Sequence, residues 1–208
     1  MPKRIALIIH GAAGRMGQAL LRLAAQRDDV DIVAALVRAH SDRHGQAVGS
    51  AQQTRAQPLL FSATLPDDLC ADVMIDFAGA TAFDAALQLA VDRRVAFVSG
   101  TTGLSPMQHE VMKQASRKIP VLWASNFSLG VAVLARLVKQ AARGLPDWDC
   151  EILEVHHRRK LDAPSGTALM LGHSVDAARG SADTFVASDR NGTLYTPVWS
   201  SNTNWSIV

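Results

Sequence analysis

The stretch Ile5-Ala6-Leu7-Ile8-Ile9-His10-Gly11-Ala12-Ala13-Gly14-Arg15-Met16-Gly17 decides the fold. Five apolar residues in a row, ending at a glycine-rich turn, read as a strand buried on both faces, as strands of parallel sheets are. From residue 15 the period changes. Met16, Leu20, Leu21, Leu23 and Ala24 fall on one side of a helix over 15–27. Glycines between strand and helix permit a tight turn and a close approach of backbone to a ligand. The helix start supplies free N–H groups and a partial positive charge, which suit a pyrophosphate. The spacing is GxxGxxG rather than the usual GxGxxG, and a glycine turn also serves purely structural ends. Its place between a strand and a helix favours dinucleotide binding.

Working outward, the pattern repeats. Strands are expected over 30–37, 73–77, 95–99 and 121–123, and helices over 80–91 and 106–118. Residues 40–58 are polar, without a clear period, and read as loop. Strands alternating with helices predict an α/β fold, a Rossmann-type doubly wound parallel sheet. A long helix over 129–143 stops near Gly144 and Pro146, and the pattern then shifts to a charged strand over 149–157. The expected division is a dinucleotide-binding domain over 1–126 and a second, smaller α+β substrate domain over 127–208. Past Ser181 the segment has no clear period.

Bulk properties narrow the function. In 208 residues, 48% hydrophobic and 19% charged residues support a packed core rather than disorder. A net charge of +2 is too small to argue for nucleic acid or a membrane surface, so neither is expected as a partner. The apolar run after Lys3 and Arg4 stops at Gly11, too short for a signal segment or a membrane span, so a cytoplasmic protein is expected. Cys70 and Cys150 form no CxxC pair and are expected as buried free thiols rather than disulfide or metal ligands.

Two further regions carry chemistry. The second strand runs into Val37-Arg38, where an acidic residue about 20 residues past the glycines would hold the ribose hydroxyls of NAD. Val37 cannot do that. Arg38 can pair with a 2′-phosphate, which favours NADPH while leaving NADH possible; His40, Arg43 and His44 are either helpers or solvated loop residues. Gly100-Thr101-Thr102-Gly103 and Ala124-Ser125-Asn126-Phe127 end two other strands, where nicotinamide contacts and plain turns are both open readings. The most informative stretch spans 151–168. It places His156, His157, Arg158, Arg159 and Lys160 ahead of Pro164-Ser165-Gly166-Thr167, a turn into a helix beginning near Thr167. A helix start with hydroxyls beside basic side chains suits a small dicarboxylate. If the strand persists to His157, the two histidines face opposite ways and have different roles. Arg158 and Arg159 read as solvated. No metal site is expected, because adjacent strand histidines rarely reach one ion and the nearby positive charge opposes a cation.

These motifs resemble the 4-hydroxy-tetrahydrodipicolinate reductase (dihydrodipicolinate reductase) family. The resemblance is carried by GAAGRMG at 11–17, IDF at 75–77, GTTG at 100–103, SNFS at 125–128 and E-x-x-E-x-HH-x-x-K-x-DAPSGTA at 151–168, and it runs over about 4–180. It implies hydride transfer from NADPH or NADH to a cyclic imine dicarboxylate, giving tetrahydrodipicolinate in lysine and diaminopimelate biosynthesis. It implies cofactor contacts at Gly11, Ala12, Ala13, Gly14, Arg15, Met16, Arg38, Gly100, Thr101, Thr102, Ala124, Ser125, Asn126 and Phe127. It implies His156 and Lys160 as the proton-handling pair, and His157, Ser165, Gly166 and Thr167 as the substrate carboxylate site. It also implies a homotetramer.

Two departures accompany it. Val37 stands where many members have an acidic residue. The further strands, glycine-rich GD…GEH segment and final helix of the family are not read after Asn191, so the substrate domain is expected to be incomplete. Two alternatives keep the fold: a shortened, catalytically impaired dinucleotide-binding protein, and a different two-domain oxidoreductase such as a semialdehyde or sugar dehydrogenase. A semialdehyde dehydrogenase needs a catalytic cysteine, and neither cysteine lies in a suitable motif; the HHRRKLDAPSGT stretch at 156–167 fits neither enzyme.

Overall fold

The structure is a computed structural model that describes residues 3–49, 58–155, 164–180, 186–188, 194–195 and 205–207, the last three as backbone only. The chain divides into two compact units, Met1–Ala124 and Ser125–Val208.

The first unit alternates β1 (Ile5–His10), α1 (Arg15–Ala24), β2 (Val30–Leu36), β3 (Phe61–Ser62), β4 (Val73–Asp76), α2 (Ala80–Asp92), β5 (Ala96–Ser99), α3 (Pro106–Ala115) and β6 (Val121–Trp123). All six strands are parallel, in the order β3-β2-β1-β4-β5-β6. The expected doubly wound architecture is therefore present. Its order reverses between β1 and β4, and ligands of such sheets bind outside the carboxyl ends of the strands at that reversal.

The apolar run of β1 is explained by which face each residue serves. Ile8 joins Met74, Phe83, Leu87 and Phe97 in the core under α2 and α3. Leu7 and Ile9, one residue to either side, join Leu21, Ala24, Ile32 and Phe61 in the core under α1. With a side-chain period of two, a strand covered on both faces shows no polar alternation. On the first face Phe83 and Phe97 meet edge to face, with ring centroids 5.7 Å apart.

Helix ends follow local chemistry. Ser105 caps α3 by accepting from the Gln108 N–H, Gln108 answers to the Ser105 N–H, and Pro106 takes the first helical position. Helices α1 and α3 each stop three residues short of the expected ends at 27 and 118, the remainder being turn. Within the expected loop over 40–58, Ala47 forms a bridge with Leu60, and β3 comes just after it. Two residues are too few to show a period. The cysteine expectation is corrected: Cys70 is exposed and Cys150 half-buried, and both are free thiols.

The second unit contains α4 (Leu129–Gly144), β7 (Cys150–Ile152), α5 (Gly166–Arg179), β8 (Val186–Ser188), β9 (Leu194–Tyr195) and β10 (Trp205–Ile207). Helices α4 and α5 share a small core built on Ala142, Ala168 and Val175. At the far end of α5, Arg179 donates to the carbonyls of Leu145 and Trp148, and Gly180 closes the helix in the left-handed conformation at φ 71°. The strand expected over 149–157 is shorter, ending at Ile152. Trp205–Ile207, in the segment without a readable period, lies inside a four-stranded sheet of order β7-β10-β8-β9, parallel to both neighbours.

The Phe83–Phe97 contact makes the first unit's core testable. Phe97→Ala should lower the unfolding free energy by about 3–5 kcal/mol, read by urea unfolding followed by circular dichroism. A loss below about 1 kcal/mol would show that the sheet does not depend on this aromatic pair.

Candidate functional site

The glycine turn is built by exclusion. Gly11 has φ +76°, and a Cβ there would lie 2.8 Å from the Ala78 Cα and 2.9 Å from its N. A Cβ on Gly17 would lie 2.4 Å from the Gly11 carbonyl oxygen, so α1 and the turn touch backbone to backbone. Gly14 is the N-cap of α1 and provides no side-chain acceptor, which leaves the first N–H groups of the helix open to a ligand. The turn is anchored by Ala12 N donating to Leu36 O at 3.0 Å and by Gln18 Nε2 donating to Ala12 O at 2.8 Å.

Beside this turn lies a cavity of about 360 Å³, lined by His10, Gly11, Gly14, Val37, Arg38 and Ser41 among others. Val37 is buried and Arg38 exposed, and among the described residues none that lines the cavity is acidic. Of the basic residues noted after β2, Arg38 alone lines this cavity. Arg43 instead sets its guanidinium over the Phe61 ring, 6.0 Å from the centroid. Ser41 is a lining residue that the sequence reading missed.

A second missed feature holds the strand ends together. Asp76 is fully buried at the end of β4. His10 Nδ1 donates to Asp76 Oδ1 at 2.7 Å, and Ala78 N to the same oxygen at 3.1 Å. Ser99 Oγ and Thr101 Oγ1 donate to Oδ2 at 2.7 and 2.8 Å. Because an ionised carboxylate only accepts, the Nδ1 of His10 carries the hydrogen. Burial pushes the Asp76 carboxyl up, but the hydrogen bonds from His10, Ser99 and Thr101 outweigh it and hold the group below its ordinary 3.8. Ser99 Oγ also accepts from Thr101 N, and Trp123 Nε1 donates to Thr101 O at 2.9 Å, with His109 edge-on to the Trp123 ring. The Gly100–Thr102 turn is thus fixed from β4, β5 and β6. A Cβ on Gly100 would lie 2.0 Å from the Phe77 ring. The available sequence signal was an aspartate closing an otherwise apolar strand, since a charge is rarely buried without partners.

In the second unit, the start of α5 is equally specific. Ser165 is buried and caps the helix, its Oγ accepting from Ala168 N at 3.1 Å while donating to Glu154. Its backbone N donates to Glu154 Oε1 at 2.7 Å. Asn126 Nδ2 donates to Thr167 Oγ1 at 2.9 Å, and Asn126 Oδ1 accepts from Ser128 N at 2.7 Å. A Cβ on Gly166 would lie 3.0 Å from the Ser125 Cβ. Ser125 and Asn126 therefore bond with the second unit, two residues before the expected boundary at 126/127, while Ala124 N bonds back to Ser99 O. The Ser165 hydroxyl is committed to Glu154 and to its own helix, so Gly166, Thr167 and the helix N–H groups are what this turn presents. His156, His157 and Lys160 lie outside the described residues, as do Arg158, Arg159 and Asp162. Among the described residues no helix is long and apolar enough to cross a membrane.

Family models match both units: "Dihydrodipicolinate reductase, N-terminus" over residues 5–127 and "Dihydrodipicolinate reductase, C-terminus" over residues 130–197. The chain belongs to the dihydrodipicolinate reductase family. The second match ends at residue 197, near the point at about 191 after which the sequence no longer reads as the family. The chain is 48% identical over 190 residues to the 4-hydroxy-tetrahydrodipicolinate reductase of Stenotrophomonas maltophilia (strain K279a), covering 90% of this chain and 75% of that protein. It is 45% identical over 187 residues to the corresponding reductase of Xylella fastidiosa (strain 9a5c), with the same coverages. A solved dipicolinate-bound dihydrodipicolinate reductase from Paenisporosarcina sp. TG-14 superposes with a TM-score of 0.68 at 26% identity, over 98% of this chain and 77% of that one. The chain therefore spans about three quarters of the length of these relatives. Members of the family use a nicotinamide dinucleotide and act on a small molecule.

The Asp76 network has a pH signature. A carboxyl held below 3.8 in the folded state contributes stability above its unfolded value and loses it as pH falls through the folded value. Unfolding free energy should therefore drop on the acid side from about pH 5 downward, and Asp76→Asn should flatten that limb in urea titrations run at successive pH values. An unchanged acid limb would assign the loss to other carboxylates.

Proposed function

We propose that this chain is a 4-hydroxy-tetrahydrodipicolinate reductase, transferring a hydride from NAD(P)H to the cyclic imine dicarboxylate to give tetrahydrodipicolinate in cytoplasmic lysine and diaminopimelate biosynthesis. The observation that carries this reading is the cavity at the open N-terminus of α1, free of acidic side chains, in a chain of this family. The cofactor fits it. Gly11 lets the backbone come close, the α1 N–H groups meet the pyrophosphate, and the lining offers Arg38 and Ser41 where a carboxylate would repel a 2′-phosphate. NADPH is accordingly the preferred cofactor, with NADH possible. Gly11 to Met16, Arg38, the Gly100–Thr102 turn and residues 124–127 make the cofactor contacts, and the first unit, residues 1–124, forms the cofactor domain.

When bound, the nicotinamide supplies the hydride. Once the 4-hydroxyl has left as water, hydride addition to the resulting conjugated imine leaves an electron pair on the ring that takes up a proton. His156 and Lys160 handle that proton. Lys160 also lowers the cost of the substrate's negative charge. His157, Gly166 and Thr167 hold a substrate carboxylate together with the N–H groups at the start of α5. Ser165 supports them indirectly, because its hydroxyl fixes the helix start against Glu154.

NADPH oxidation by the purified 208-residue chain, with the cyclic substrate generated in situ by its upstream synthase, tests the reaction. Turnover is expected, lowered by about 10²–10⁴ in His156→Ala and in Lys160→Ala. NADPH binding without turnover would overturn the reductase reading and leave a dinucleotide-binding protein. Arg38→Ala should weaken NADPH binding about tenfold and leave NADH binding nearly unchanged. Equal losses for both cofactors would remove Arg38 from 2′-phosphate recognition.

A further inference from the structure

We propose that His10 is a positioning residue of the cofactor site, tying the Gly11 turn at the end of β1 to the Gly100–Thr102 turn at the end of β5 through the buried carboxylate of Asp76. The proposal rests on reading the cavity beside Gly11 as the dinucleotide site.

The need for such a tie comes from the topology. The two turns leave strands that are not neighbours, since β4 lies between β1 and β5. The backbone ladder reaches as far as Phe77 N donating to His10 O at 3.2 Å and Gly100 N donating to Asp76 O at 3.0 Å. Beyond that the chains diverge, and side chains must fix the spacing between the turns. Asp76 does this with both oxygens. Oδ1 accepts from His10 and from Ala78 N, while Oδ2 accepts from Ser99 and Thr101. Ala78 is also the residue whose backbone a Gly11 side chain would strike. One carboxylate therefore sets the height of the Gly11 turn, the entry to α2 and the Gly100–Thr102 turn together.

Within this set His10 is the member that reaches the cavity. Its side chain is 18% exposed where that of Asp76 is 0%, and it lines the cavity beside Gly11 and Arg38. Its Nδ1 is the donor that joins β1 to the carboxylate. The other ring nitrogen has no part in the tie. A donor at the δ position is therefore what the site needs from this residue, and asparagine supplies one while glutamine places its amide one bond too far.

The test is direct titration of NADPH fluorescence on the full chain and on His10→Asn, His10→Gln and His10→Leu, with thermal melting of each to establish folding. The tie predicts that His10→Asn stays within about threefold of the parent dissociation constant, while His10→Gln and His10→Leu weaken it about tenfold. Should His10→Leu fail to fold, the asparagine–glutamine pair decides alone. Retention by His10→Gln with loss in His10→Asn would overturn the proposal, because the outer nitrogen would then be the group that matters. Equal binding by all variants, or equal loss by all folded ones, would overturn it as well. A parent chain that binds neither NADPH nor NADH would sink the cofactor reading itself and the proposal with it.

Discussion

Asp76 sits fully buried at the carboxyl end of β4, where an ionised group without partners would cost several kcal/mol. It is tolerated because four donors converge on its two oxygens, and those donors come from the ends of β1 and β5 and from the entry to α2. The cost of burying the charge becomes a geometric constraint. None of the donors can move away without leaving lone pairs unsatisfied in a low-dielectric interior. The ligand end of a parallel sheet has no ladder to hold its loops, and here a carboxylate takes over that role.

The glycine turn acts by a complementary rule. It works through missing atoms, since each side chain absent from Gly11, Gly17 and Gly100 would occupy space already taken by Ala78, by the turn's own backbone or by the Phe77 ring. Close approach on the protein side leaves the α1 N–H groups open on the other, uncapped by any side chain. The polarity of the cavity then depends on the residues after β2, and Val37 with Arg38 makes it basic rather than acidic.

The second unit solves the same problem with hydroxyls. Ser165 is at once cap for α5 and partner of Glu154, and Thr167 is oriented by the Asn126 amide. The turn into α5 is therefore held from the segment before α4 and from the strand region after β7, leaving its remaining N–H groups to a ligand. Glu154 and Asn126 belong to motifs visible in the sequence, yet nothing in their spacing says that they serve the turn at 165–167.

Local signals alone were enough for five of the six strands of the first unit and for its helices. The apolar runs, the switch from a period of two to 3.6, the Gly11–Gly17 turn and the Ser105-Pro106 helix start each reflect forces acting within a few residues. The family was legible too, because long motifs such as that at 151–168 preserve residue order. Tertiary structure decided the rest. Phe61–Ser62 and Trp205–Ile207 are strands only because neighbouring strands pair with them. Arg43 lies over the Phe61 ring and not among the residues that line the cavity beside Gly11. His10 and Asp76, 66 residues apart, become one unit only when β1 and β4 lie side by side. Short strands, ring contacts and buried charge networks draw their energy from partners distant in sequence, and no local pattern carries that information.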